Sequence, residues 1–333
     1  MKKITIVLVA ALTIISCKVS KDYVTLSGTI ANQNSDSLIV RSQTYNKKIA
    51  VNEDGTFNDT LKIKEGRYQF HDGRNASNLY LKGGYDLKLM VDTKKFDETL
   101  TFSGKGANVN NYLAQNMLIQ QNVFNDFTIY DLERDVFLAK IRASGDEMSE
   151  LLSSTKNLDT AFIANEKKKI AQFQGYLAQK YSDKQYMATT LAKGKASPKF
   201  TDYENYAGGT MSLGDLKGKY VYIDMWATWC GPCKAEIPFL KEVEKAYHGK
   251  NIAFVSISID REKAYDAWRK MVADKELTGI QLYAKRDESF RTAYRITGIP
   301  RFILIDPEGN IVDADAPRPS SEKLKTLFDS LEI

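Results

Sequence analysis

Apolar positions fall into four regimes along the chain. Ile4 through Ile15 is almost wholly apolar behind Lys2 and Lys3. That run is shorter than the ~20 residues a helix needs to span a bilayer, so it reads as a signal peptide rather than an anchor. From residue 24 to 103 the pattern has period two, as in Tyr85, Leu87, Leu89 and Val91, Ile49 and Val51, Tyr68 and Phe70, and Leu79 and Leu81. Asp54-Gly55, Glu65-Gly66, Asp72-Gly73 and Gly83-Gly84 lie between these runs and suit reversals that need positive φ. Seven or eight short antiparallel strands are predicted, forming a small sandwich or barrel. From Asn108 to about Ala192 proline is absent and glycine occurs only at 145 and 175, while Ile163, Ile170, Phe173 and Leu177 recur at helical spacing. Several helices are expected, with a break near Ala143-Ser144-Gly145-Asp146. Tyr112, Tyr176, Tyr181 and Tyr186 read as packing residues.

After the turn-rich stretch from Lys193 to Pro198 the pattern alternates strand and helix. Strands are expected at 220–225, 252–259, 281–284, 301–305 and 311–314. Helices are expected at 232–246, 261–275, 287–294 and from Ser321 onward. That alternation argues for a central sheet flanked by helices. The organisation read from the pattern is a signal segment at 1–16, a β-rich domain at 17–105, a helical segment at 106–193 and an α/β domain at 197–333.

Composition adds boundaries rather than a function. The 333 residues are 43% hydrophobic and 27% charged, ordinary for a folded protein with packed cores. The net charge of +5 comes from 47 basic and 42 acidic side chains. No basic stripe with interleaved aromatics appears, so nucleic acid is not an expected partner. The run Lys167-Lys168-Lys169 reads as a solvated helix face, and His71 as structural or exposed. The apolar run ends in Ile14-Ile15-Ser16-Cys17, which resembles the lipobox of bacterial lipoproteins. The resemblance implies cleavage before Cys17 and a lipid on its sulfur, which would hold the protein at a membrane surface. Lys18 after Cys17 favours the outer over the inner membrane, with the rest of the chain facing the periplasm.

With lipid on Cys17, only Cys230 and Cys233 remain of the three cysteines. An exported protein with no other cysteines has no structural disulfide framework, so this pair is set apart for chemistry. Cys230-Gly231-Pro232-Cys233 follows a strand and opens a helix. At that place Cys230 faces unpaired N–H groups and the positive end of the helix dipole, which stabilise a thiolate. Cys233, one turn in, is shielded and acts second. Pro232 suits a first turn, where its missing N–H is no loss. The alternative, half a zinc site, lacks ligands: there is no second Cys pair, and the histidines are His71 and His248. Neither a metal nor a cofactor is expected.

The segment Ile223-Asp224-Met225-Trp226-Ala227-Thr228-Trp229-Cys230-Gly231-Pro232-Cys233-Lys234 resembles the active site of thioredoxins, and Gly298-Ile299-Pro300 resembles their cis-proline loop. Together with the lipobox and Lys234-Ala235-Glu236-Ile237-Pro238, the likeness is nearest to the TlpA/ResA-like envelope thiol–disulfide reductases. It implies an α/β thioredoxin fold at the C-terminal end, preceded by the small antiparallel β domain and the helical segment. The implied catalytic residues are Cys230 and Cys233, with Asp224 as a buried proton carrier beneath Cys233 and Glu236 as an acid tuning the thiols. Trp229, Gly231, Pro232, Ile299 and a cis Pro300 are the implied substrate surface. Trp226 is expected under the helix, Trp268 in the core, and a bend at Pro238.

The function expected is a membrane-tethered reductase of oxidised proteins or small disulfides, fed by a membrane electron donor. The Gly-Pro pair resembles thioredoxin, a reducing centre at about −270 mV. Three alternatives stay open. One is a disulfide oxidase or isomerase. Another is a peroxiredoxin-like peroxidase, against which stands the lack of a proline at the required position upstream of Cys230. The third is a binding lipoprotein whose β domain recruits the partner.

Overall fold

The computed structural model describes residues 22–333, so the signal segment and Cys17 lie outside the described residues. The chain divides into two compact units, one ending at Ala178 and the other spanning Gln179–Ile333.

The first unit opens with β1 (Tyr23–Ala31), β2 (Ser37–Arg41), β3 (Asn46–Ala50), β4 (Thr56–Lys62), β5 (Gly66–His71), β6 (Ala76–Leu81) and β7 (Asp86–Asp92). The short α1 (Phe96–Thr99) and β8 (Thr101–Lys105) follow. One sheet has the order β4-β1-β7-β8 and the other β3-β2-β5-β6. Alternate residues face inward, Val24, Leu26 and Ile30 from β1 and Leu87, Leu89 and Val91 from β7, as period two requires. The pairings are antiparallel except β1 with β7, which run parallel. Gly28 sits on that parallel seam, where a Cβ would stand 2.0 Å from the Leu89 carbonyl oxygen.

Three longer helices follow: α2 (Ala107–Phe124), α3 (Arg134–Ser154) and α4 (Thr160–Thr189). At the start of α2 two asparagines bond the outermost strand of each sheet. Asn110 accepts from the Tyr80 N–H (2.8 Å) and donates to its carbonyl (3.0 Å). Asn111 accepts from the Phe102 N–H (2.7 Å) and donates to its carbonyl (2.8 Å).

The helix break expected at 143–146 is absent, since α3 runs through it. Gly145 lies on the buried face, where a Cβ would meet the Gln174 side chain at 2.0 Å, and Gln174 donates to the Ile141 carbonyl. The glycine serves close helix packing rather than termination. The lysine run is also not wholly solvated. Lys167 and Lys168 are exposed, but Lys169 stands 3.2 Å from the buried Glu166, which also binds Arg67 at 2.5 Å.

The second unit contains β9 (Tyr203–Asn205), β10 (Thr210–Met211), β11 (Tyr220–Trp226), α5 (Gly231–Ala246), β12 (Ile252–Ser258), α6 (Tyr265–Asp274) and β13 (Ile280–Tyr283). It ends with α7 (Ser289–Ala293), β14 (Arg301–Ile305), β15 (Ile311–Asp313) and α8 (Glu322–Asp329). The sheet order is β10-β9-β13-β12-β11-β14-β15. β11, β12 and β13 are parallel; β14 runs antiparallel beside β11. Apolar clusters cover both faces: Ile223, Ile257 and Ile303 belong to one, Tyr222, Phe254 and Leu304 to the other. This is the thioredoxin-like α/β arrangement expected. No helix among the described residues is long and apolar enough to cross a membrane.

Candidate active site

β11 is an interior strand of the second unit's sheet, between β12 and β14, and it is buried from Val221 onward. The chain leaves it at Ala227, turns through Thr228 and Trp229, and enters α5 with Cys230 as the N-cap. Cys230 has extended backbone there, its N–H donating to the Ala227 carbonyl at 3.0 Å. Its Sγ accepts the Cys233 N–H at 3.1 Å. Sulfur thus occupies the place where a Ser or Asp oxygen ordinarily caps a helix, facing the positive end of the helix dipole. The two cysteines are joined as a disulfide, with Cα atoms 5.3 Å apart.

The Ile299–Pro300 peptide is cis, and the Ile299 carbonyl oxygen lies 3.8 Å from Cys230 Sγ. Trp226, Ala227 and Trp268 are buried in one cluster with both cysteines, and Ile299 packs against it. Trp229 is the exception among the tryptophans, 67% exposed, and Gly231 and Pro232 are exposed beside it. Pro238 lies inside α5, where its missing N–H leaves the Lys234 carbonyl without its intrahelical partner.

Two acids, Asp224 and Glu236, are buried behind the disulfide, and Glu244 is half-buried beside them. Asp224 lines a small cavity with Cys233 and Glu244, and its Oδ1 has no hydrogen-bond partner. The cavity measures about 10 Å³, close to what one water needs. Burial, followed by the negative charges of Glu236 and Glu244, pushes the Asp224 carboxyl up to about 8. Burial likewise raises Glu244, against a hydrogen bond from Thr278 that works the other way. Glu236 accepts from the Ser320 N–H and hydroxyl, both at 3.0 Å. Its hydrogen-bond partner is therefore Ser320, not a cysteine, and its charge helps to raise Asp224. The sequence reading missed Glu244. Its spacing held a signal, since Glu236, Leu240 and Glu244 are i, i+4 and i+8 on one helix face.

Asp260 was also missed. It is 1% exposed and sits just past β12. Its carboxylate accepts the Thr228 N–H, the Thr228 hydroxyl and the Ser258 hydroxyl, each at 2.9 Å. Those bonds fix the turn that precedes Cys230, which makes Asp260 a positioning residue for the Trp229–Cys230 segment. Nothing local in the sequence signals it, because Thr228 and Asp260 are 32 residues apart.

The sequence-predicted residues thus fall in three groups. Cys230, Cys233, Trp229, Gly231, Pro232, Ile299 and Pro300 meet at the N-terminal end of α5. Asp224 and Glu236 lie behind them. Cys17 is outside the described residues. Among the described residues no three His, Cys, Asp or Glu side chains are grouped to hold a metal ion.

Residues 192–329 match the model of the Redoxin family. Thiol-disulfide oxidoreductase ResA of a Bacillus cereus strain is 30% identical over 161 residues, 48% of this chain and 85% of that protein. ResA of Bacillus subtilis (strain 168) is 29% identical over 124 residues, 37% of this chain and 66% of that protein. Among solved structures, the thioredoxin domain of a thiol-disulfide oxidoreductase from Bacteroides vulgatus shares 30% identity with a TM-score of 0.39. The match covers 43% of this chain and 99% of that one.

Proposed function

The chain belongs to the ResA family of thiol–disulfide oxidoreductases, and from that premise we propose that it acts as a reductase of protein disulfides, tethered at a membrane of the cell envelope. The observation that carries this reading is Cys230 Sγ, which caps α5 by accepting the Cys233 N–H beside an exposed Trp229.

In the dithiol form, the thiolate of Cys230 attacks one sulfur of the partner's disulfide. A mixed disulfide forms and one partner thiolate leaves. Cys233 then gives up its proton and attacks Cys230 Sγ, which closes the Cys230–Cys233 bond and frees the second partner thiol. Asp224, which lines the same small cavity as Cys233, takes that proton. A carboxyl at about 8 is close to an ordinary thiol at ~8.5, so the transfer is nearly balanced. Trp229, Gly231, Pro232 and the Ile299–Pro300 loop form the surface that the partner meets. The tether is a lipid on Cys17, supported by the apolar run that ends there. The chain then faces the periplasm, with the outer membrane favoured, and a membrane donor returns the electrons.

Two measurements test the reading. The Cys233→Ser chain accumulates a mixed disulfide with a disulfide-bonded substrate protein, visible on a non-reducing gel, and Cys230→Ser gives none. The reduction potential of the Cys230–Cys233 pair is expected at about −270 mV, and a value of about −120 mV would reverse the direction and overturn the proposal.

A further inference from the structure

Beside Cys230 the second unit opens a cleft of about 970 Å³, running from Trp229 and Ile299 out along the segments after β12 and β13. Its charged lining is unbalanced. Arg261, Lys263, Arg286 and Arg291 face Asp260 and Glu288. Asp260 is buried and its oxygens are committed to Thr228 and Ser258. Glu288 is paired with Arg291 at 3.5 Å, and Arg286 with Glu262 at 3.0 Å. Arg261 and Lys263 are exposed and have no carboxylate partner among the described residues.

A second observation concerns the segment that carries Arg286. Lys285 and Arg286 have φ of 49° and 69°, consecutive non-glycine residues in the left-handed region. Such a backbone is uncommon and is found where the surroundings require it. The turn is closed by the Asp287 N–H on the Ala284 carbonyl at 2.8 Å, and it sets Arg286 on the cleft wall. The cleft beside Cys230 therefore carries Arg286 and Arg291, each ion-paired, together with Arg261 and Lys263.

We propose that this cleft selects substrates whose disulfide lies in an acidic segment, with Arg261 and Lys263 as the specificity-determining residues. The inference rests on the reductase reading above and names its substrate class. The reaction is the exchange already described. Two electrons pass from the Cys230 and Cys233 thiols to the peptide's disulfide. One disulfide forms in the protein, one breaks in the peptide, and both thiol protons end on the peptide's cysteines. The acidic side chains take no part in the exchange and act on association, where complementary charge raises the rate of encounter.

The test uses the full chain, reduced beforehand and freed of reductant, so that each molecule turns over once. The probes are synthetic peptides of equal length, each closed by one internal disulfide and flanked by Glu, Gln or Lys. The expected order of second-order rate constants is Glu, then Gln, then Lys. Two exposed charge contacts predict a spread of roughly two- to thirtyfold between Glu and Lys at low salt. The spread should collapse at about 1 M salt, where the screening length is about 3 Å. The Arg261→Glu and Lys263→Glu double variant should reverse the order. Equal rates for the Glu and Lys peptides at low salt, or a preference that survives both salt and charge reversal, overturns the inference and leaves the reductase reading standing. Failure to reduce even the Gln peptide overturns both.

Discussion

Replacing Asp224 by Asn removes a carboxyl that the fold holds in its neutral form. The side chain is 8% exposed, its Oδ1 lacks a partner, and Glu236 and Glu244 add negative charge behind it. In the unfolded chain the same group returns to its ordinary 3.8, while in the fold it stands at about 8. The folded value is the raised one, so the folded state binds the extra proton between those two limits. The stability linked to that proton is complete below about pH 4 and is lost as pH climbs through 8. At roughly 1.4 kcal/mol for each tenfold change, the full loss is on the order of 6 kcal/mol. Asn does not titrate and avoids the loss. Denaturant unfolding of the disulfide form should therefore find Asp224→Asn close to the unaltered chain at pH 4, and more stable by several kcal/mol at pH 9. The same variant should slow release of the partner from the mixed disulfide by roughly 10²-fold or more, because Cys233 loses its proton acceptor. A stability difference that is the same at pH 5 and pH 9 would show that Asp224 ionises in the ordinary range, and the proton-carrier role would fall with it.

Two further perturbations probe the scaffold. Asp260→Ala strands the Thr228 N–H and the Ser258 hydroxyl, and should cost about 2–4 kcal/mol in denaturant unfolding. It should also slow single-turnover thiol exchange, and Asp260→Asn, which keeps one acceptor for the Thr228 N–H, should restore part of the rate. Full activity in Asp260→Ala would remove its positioning role. Gly28→Ala drives a methyl against the Leu89 carbonyl oxygen, so β1 and β7 must part. The expected loss is about 1–3 kcal/mol or more, read as a lowered unfolding midpoint of the first unit by strand circular dichroism. An unchanged midpoint would mean that the seam yields freely.

The parts of the fold readable from sequence were those whose cause is local. β11, α5 and β14 carry apolar periods of their own, and the two cysteines, Pro232 and the Gly298-Ile299-Pro300 stretch lie next to them in the chain. β9 and β10 escaped notice because three and two residues are too few to show a period. The parallel pairing of β1 with β7 joins segments far apart, and alternation is blind to strand direction. Gly145 misled because a glycine that admits a neighbouring side chain looks, in one dimension, like one that ends a helix. Within the site, the groups that react were legible and those that hold them were not. Asp260 reaches Thr228, and Ser320 reaches Glu236, only after the chain has folded back on itself.

Asn110 and Asn111 carry a practical consequence. Composition changes sharply near residue 105, which invites excision of the β-rich region as a self-contained module. Yet each asparagine amide stands in for a missing neighbour strand, one on β6 and one on β8. Cutting before α2 would bare both borders to pairing with other molecules, so a usable fragment has to carry the first turns of that helix with it.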